Sequence, residues 1–151
     1  MLSNDILRSV RYILKANNTD LALGNVDATP EQIAIWLRKE EEEGFQRCPD
    51  IVLSSFLNGL IYEKRGKDEA APALTAERRI NNNIVLKKLR IAFSLKTDDI
   101  LAILTGQLFR VSMPEITAMM RAPDHKNFRE CGDQFMRYFL RGLAAREHAA
   151  K

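Results

Sequence analysis

The chain should fold as an all-α protein made of two tandem homologous helical repeats, packed together as a pseudo-symmetric bundle. Three observations carry this expectation. The same motifs occur twice at matched spacing, apolar residues recur with a helical period, and strand-like alternation never lasts more than a few residues. Each repeat should hold about four helices, over residues 1–66 and 80–148, with 67–79 as the linker.

The duplication is read directly. Asn4-Asp5-Ile6-Leu7-Arg8-Ser9-Val10-Arg11 returns as Asn83-Ile84-Val85-Leu86-Lys87-Lys88-Leu89-Arg90, and Asp20 falls on Asp99. Further on, Phe45-x-x-Cys48-x-Asp50 returns as Phe128-x-x-Cys131-x-Asp133, and Phe56-Leu57-Asn58-Gly59-Leu60 as Phe139-Leu140-Arg141-Gly142-Leu143. The offset is 79 residues early and 83 later, so the second copy carries four more residues between Asp99 and Val111. Those residues extend a helix around Asp98–Leu104. Copy one has only Asp20-Leu21-Ala22-Leu23-Gly24 there, which is marginal as a helix and should be looser.

The first helix of each copy places Ile6, Leu7, Val10, Ile13 and Leu14, or Val85, Leu86, Leu89, Ala92 and Phe93, on one stripe. The next long helix opens at Thr29-Pro30-Glu31-Gln32 and at Ser112-Met113-Pro114-Glu115. A hydroxyl cap with Gln or Glu three residues on, and Pro in the first turn, is a start signal. The last helix begins at Asp50 or Asp133, whose carboxylate is expected to cap the first amides. It runs on through Ile51, Val52, Phe56, Leu57 and Leu60, or Phe135, Met136, Phe139, Leu140 and Leu143. Gly59 and Gly142 lie inside these helices at about 1 kcal/mol each against Ala. Close backbone packing explains a repeated cost better than a duplicated ligand contact, and the two copies are expected to meet through Phe56, Leu60, Phe139, Leu143 and these glycines. Lys67-Asp68-Glu69-Ala70-Ala71-Pro72 marks the linker.

The doubled Asn-x-x-Leu-Arg/Lys-x-x-Arg, Phe-x-x-Cys-x-Asp and Phe-Leu-x-Gly-Leu motifs, with Ile35-Trp36-Leu37-Arg38, resemble the YehS family over residues 2–146. These are small bacterial proteins with two copies of a domain of unknown function. The resemblance implies a cytoplasmic protein and brings no reaction, cofactor or catalytic residue with it. Its members have a longer segment after the Asp20 position, so the short stretch there departs from the family pattern.

Composition excludes several classes. The chain has 151 residues, 46% apolar and 28% charged, which is not the profile of a disordered chain. Two cysteines are too few for a disulfide scaffold. The N-terminus lacks the basic-then-apolar pattern of a signal peptide, and the uncharged run 51–62 is too short to span a bilayer. Neither phosphate-cradling glycine loop (GxxxxGK[ST] or GxGxxG) is present, nor HExxH, an EF-hand loop or CxxC, so no cofactor or metal is expected.

For catalysis the candidates are Cys131 and His125, six residues apart, since a cysteine at a helix start with a nearby imidazole can form a thiolate. Cys48 occupies the same place in copy one, where Glu42 replaces His125, and a small apolar residue before a helix accounts for both. Charge is more informative. Residues 1–75 are net −3 and residues 76–151 net +6. Arg8 and Arg11 match Lys87 and Arg90, Lys88 adds a charge, and Ser54 and Asn58 become Arg137 and Arg141, one turn apart. Nucleic acid held by Arg8, Arg11, Lys87, Lys88, Arg90, Arg137 and Arg141 is therefore the expected partner. The alternative is a protein or peptide in a groove between the repeats, where Met113, Met119, Met120 and Met136 would give an adaptable surface if they do not fill the core. A cysteine enzyme comes third, and no membrane partner is expected.

Overall fold

The computed structural model describes residues 1–15 and 25–149. Seven helices and no strand occur among them, in two units that divide between Ile80 and Asn81. Unit 1 contains α1 (Ser3–Leu14), α2 (Pro30–Trp36) and α3 (Asp50–Arg65). Unit 2 contains α4 (Asn82–Ala92), α5 (Thr97–Gly106), α6 (Met113–Met119) and α7 (Asp133–Ala149). The shortened helix expected at 20–24 lies outside the described residues.

Each unit is built the same way. Its first helix buries an i, i+1, i+4 stripe, Ile6, Leu7 and Val10 in α1 and Val85, Leu86 and Leu89 in α4, against the long last helix. In unit 1 that helix contributes Leu53, Phe56, Leu57 and Leu60, and in unit 2 Phe135, Met136, Phe139, Leu140 and Leu143. Ile51, expected in the core, is 43% exposed, and Leu53 is buried instead. Two residues are about 200° apart on a helix, so the stripe that takes Leu53, Phe56 and Leu60 turns Ile51 outward.

The start signals of the short helices are satisfied. Thr29 Oγ1 accepts from the Gln32 N–H while Gln32 Oε1 accepts from the Thr29 N–H, both at 3.2 Å. Ser112 Oγ accepts from the Glu115 N–H at 3.3 Å. At α3 the expected carboxylate cap is absent: Pro49 is the cap residue and makes no side-chain bond. The Asp50 carboxylate accepts instead from Ser3 Oγ at 2.9 Å and from the Ile80 N–H at 3.1 Å, so it ties α3 to α1 and to the end of the unit. α1 and α4 end alike, with Lys15 and Ser94 in the left-handed region at φ 54° and 55°.

The closest echo of the duplication lies between two equivalent Asn residues and the chain far downstream of each. Asn4 Nδ2 donates to the carbonyls of Trp36 and Gln46, both at 2.9 Å, and its Oδ1 accepts from the Cys48 N–H at 2.9 Å. Asn83 makes the same three bonds, to Met119 at 3.0 Å, Arg129 at 2.9 Å and Cys131 at 2.9 Å. Both amides are buried, and each anchors the start of a repeat to the entrance of its last helix.

In unit 2, α5 packs on α7 and α6. A Cβ at Gly142 would lie 2.6 Å from Ile103 Cγ2 and 2.8 Å from the Ile103 carbonyl oxygen. The glycine thus serves a close helix crossing within its own unit. The segment 67–79 is tied back to α3. The Leu74 N–H donates to the Tyr62 hydroxyl at 2.7 Å and the Glu77 N–H to Ser54 Oγ at 2.9 Å.

Candidate functional site

The two cysteines sit where the Asn bonds hold the chain, one residue before a Pro49-Asp50 or Gly132-Asp133 helix start. Burial, and after it the neighbouring Asp50 or Asp133 carboxylate, pushes each thiol up to about 12. At neutral pH both are protonated, which opposes the role of nucleophile. His125 is exposed and its Nδ1 accepts from the Asn127 N–H at 3.0 Å, within its own loop. Among the described residues no group of three or more His, Cys, Asp or Glu is placed to hold a metal ion. No helix among them is long and apolar enough to cross a membrane.

The basic residues divide by what they touch. Arg8 Nη1 donates to the Arg38 carbonyl at 2.8 Å and its guanidinium pairs with Asp5. Lys87 Nζ donates to the Arg121 carbonyl at 3.2 Å. Both cations therefore sit at the carbonyl end of the short helix that follows later in their unit, α2 or α6, where they complement its dipole. Arg11 and Arg90, again equivalent, are half-buried, and the Nε of each is buried without a hydrogen bond. Lys88 is 9% exposed.

Arg137 and Arg141 differ. Both are exposed, one turn apart on α7. Arg137 Nη1 donates to Gln134 Oε1 at 3.2 Å. The Arg141 guanidinium carbon lies 5.1 Å from the centroid of the Tyr138 ring, in cation–π range. Tyr138 in turn leans on Phe109 at 5.3 Å, and Phe109 meets Phe135 edge-on at 6.0 Å. A chain of rings runs from the core of unit 2 to a surface arginine. Beside Phe109, Arg110 is exposed and Leu108 is 95% exposed at φ 59°, a backbone that a branched residue adopts at a cost of about 1–2 kcal/mol.

Tyr138, Phe109, Arg110 and Leu108 are not singled out by sequence reasoning. The available signal is the local pattern Arg137-Tyr138-x-x-Arg141, which puts a ring beside two cations on one helix face. Met119 and Met136 are buried in the core of unit 2, and Met113 and Met120 are half-buried. Trp36, at the Met119 position, is half-buried.

The family described as "Protein of unknown function (DUF1456)" matches residues 3–66 and again 82–148. The chain belongs to the DUF1456 family. Its two matched regions are the two repeats read from the motifs, and each holds one copy of the buried Asn bonds. An Escherichia coli (strain K12) relative, "Uncharacterized protein YehS", is 88% identical over 155 residues, covering 100% of this chain and 99% of the relative. The comparison spans four positions more than the chain's 151 residues, the same number by which the two repeats differ in register. No solved structure matches this DUF1456 chain.

Proposed function

We propose that this DUF1456 protein is a non-enzymatic binding protein whose working surface is the outer face of α7 with the 108–110 loop, and that its partner is anionic. One observation carries the reading: Arg137 and Arg141 stand exposed a turn apart, with Arg141 over the Tyr138 ring. A guanidinium fork recognises phosphate or carboxylate oxygens in pairs, and the ring beneath it keeps Arg141 directed outward. Nucleic acid, the partner expected from the basic half, supplies such oxygens as phosphates, and a protein partner supplies them as carboxylates. The protonated, buried thiols support the non-enzymatic reading.

The test is fluorescence anisotropy with a labelled 20-mer oligonucleotide and with labelled poly-glutamate, titrated against salt. At least one should bind at low salt. In Arg137→Ala/Arg141→Ala that binding should fall, and the slope of log K against log salt should drop by about 1 for each phosphate that is no longer neutralised. If neither polyanion binds at low salt, or the double variant binds as well as the parent, the reading is wrong.

A further inference from the structure

The two repeats differ along one stripe of their last helices, buried in α3 at Ser54 and Asn58 and exposed in α7 at the matching Arg137 and Arg141. In α3 the stripe Asp50, Ser54, Asn58 and Tyr62 is covered in part by the chain itself. Residues 74–80 run against it from its C-terminal end toward its start, with the Leu74 N–H on the Tyr62 hydroxyl, Glu77 on Ser54 and the Ile80 N–H on Asp50. Ser54 Oγ also donates to the Glu77 carboxylate, and Ser54 is fully buried. This unit therefore displays what its last helix accepts: a non-helical segment, bent at Arg78 and Arg79, that sets a glutamate over the middle of the stripe.

The matching stripe of α7 carries Arg137 for Ser54, Arg141 for Asn58 and Ala145 for Tyr62. All three α7 residues are exposed. Where unit 1 offers a hydroxyl to a glutamate, unit 2 offers a guanidinium, the stronger partner for the same carboxylate. Its small residue at 145 leaves room where Tyr62 stands in α3. We propose that the Arg137–Arg141–Ala145 stripe of α7 is the docking site for an extended acidic segment of a protein partner, laid along α7 as residues 74–80 are laid along α3.

The spacing sets the segment's chemistry. Arg137 and Arg141 are separated by a rise of about 6 Å along the helix. Alternate side chains of an extended segment point the same way about 6.6–7 Å apart. Acidic residues two apart, Glu-x-Glu or Asp-x-Glu, therefore meet the two guanidinium groups together. The inference rests on the proposed anion-binding role of this face and specifies its partner class.

The probe is the Leu74–Ile80 segment made as a blocked, labelled peptide with Thr75→Glu, Arg78→Ala and Arg79→Ala, so that its carboxylates at 75 and 77 stand two residues apart and face the Arg141 and Arg137 positions. It is titrated into the full-length protein at low and at moderate salt, beside an oligonucleotide of equal charge. The peptide should bind more tightly than the oligonucleotide. Its affinity should fall by about tenfold or more in Arg137→Ala/Arg141→Ala, whose far-UV spectrum must match the parent, and equally when both peptide carboxylates become Gln. Loss of peptide binding from the Gln peptide does not depend on the fold of any protein variant. If the oligonucleotide binds through these arginines and the peptide does not, the peptide inference fails while the anion-binding face stands. If neither binds at low salt, both fail.

Discussion

Gly142→Ala is expected to destabilise the protein although alanine is the better helix former. Its new methyl would stand 2.6 Å from Ile103 Cγ2, 2.8 Å from the Ile103 carbonyl oxygen and 3.1 Å from Gln107 Cγ. The Gln107 chain can swing away, but the carbonyl oxygen is backbone inside α5, so the two helices must separate to restore ordinary contact. Overpacking of this kind costs about 1–3 kcal/mol, against about 1 kcal/mol recovered from helix propensity. The net expectation is a loss of up to about 2 kcal/mol. Gly106→Ala is the internal control. It lies in α5, a Cβ there meets nothing within 4 Å, and propensity alone should give a gain of up to about 1 kcal/mol. Urea unfolding followed by far-UV circular dichroism measures both, with the slope m checked for constancy. A Gly142→Ala midpoint at or above that of the parent would refute the close-crossing explanation.

The buried amide in each repeat should be costlier to remove than its size suggests. Asn83→Ala strands the Met119 and Arg129 carbonyls and the Cys131 N–H, at about 1–3 kcal/mol each, and Asn4→Ala does the same in unit 1. A loss under about 1 kcal/mol in urea unfolding for either variant would contradict this account. Both thiols are pushed from the ordinary 9.0 up to about 12 by burial, so the folded state holds protons that the unfolded state releases. Their contribution is complete below pH 9 and is lost as pH climbs from 9 toward 12. The urea midpoint should therefore fall over that window more steeply in the parent than in Cys48→Ala/Cys131→Ala, and equal slopes would count against it.

Much of the architecture was legible because it depends on local rules stated twice. The Thr29 and Ser112 caps, the helix starts at Asp50 and Asp133, and the stripes of α1 and α4 follow from spacing alone. Where sequence reasoning went astray, the deciding partner lay far along the chain. Asp50 reads as a cap, yet its carboxylate is taken by Ser3 and by the Ile80 amide, 47 and 30 residues away. Arg8 and Lys87 read as part of a phosphate-binding set, because a helix-end carbonyl 30 or 34 residues downstream has no signature of its own. Asn4 and Asn83 were visible as the first identity of the repeat. Their importance was not, since a polar side chain beside an apolar stripe is more often at the surface. The exposed arginines were found, but Phe109, which backs the Tyr138 ring beside Arg141, lies in the loop after α5 and required that loop to be placed on α7.

Those buried amides have one more consequence. A single Nδ2 group holds the carbonyls of residues 36 and 46 in unit 1, and of 119 and 129 in unit 2, so each intervening excursion is an Ω-loop closed at its neck. The backbone inside turns identically in both: the Glu42 and Phe45 amides donate to the carbonyls of Lys39 and Glu42, and the His125 and Phe128 amides to those of Ala122 and His125. With the neck fixed from beneath, the residues at the rim are relieved of any part in setting where the next helix begins. That freedom is visible in their composition, Lys39-Glu40-Glu41-Glu42-Glu43-Gly44 in one loop and Ala122-Pro123-Asp124-His125-Lys126-Asn127 in the other. Insertions or charge changes at either rim should be tolerated where changes at the neck are not, which makes these loops the natural place to graft a tag, an epitope or a reporter.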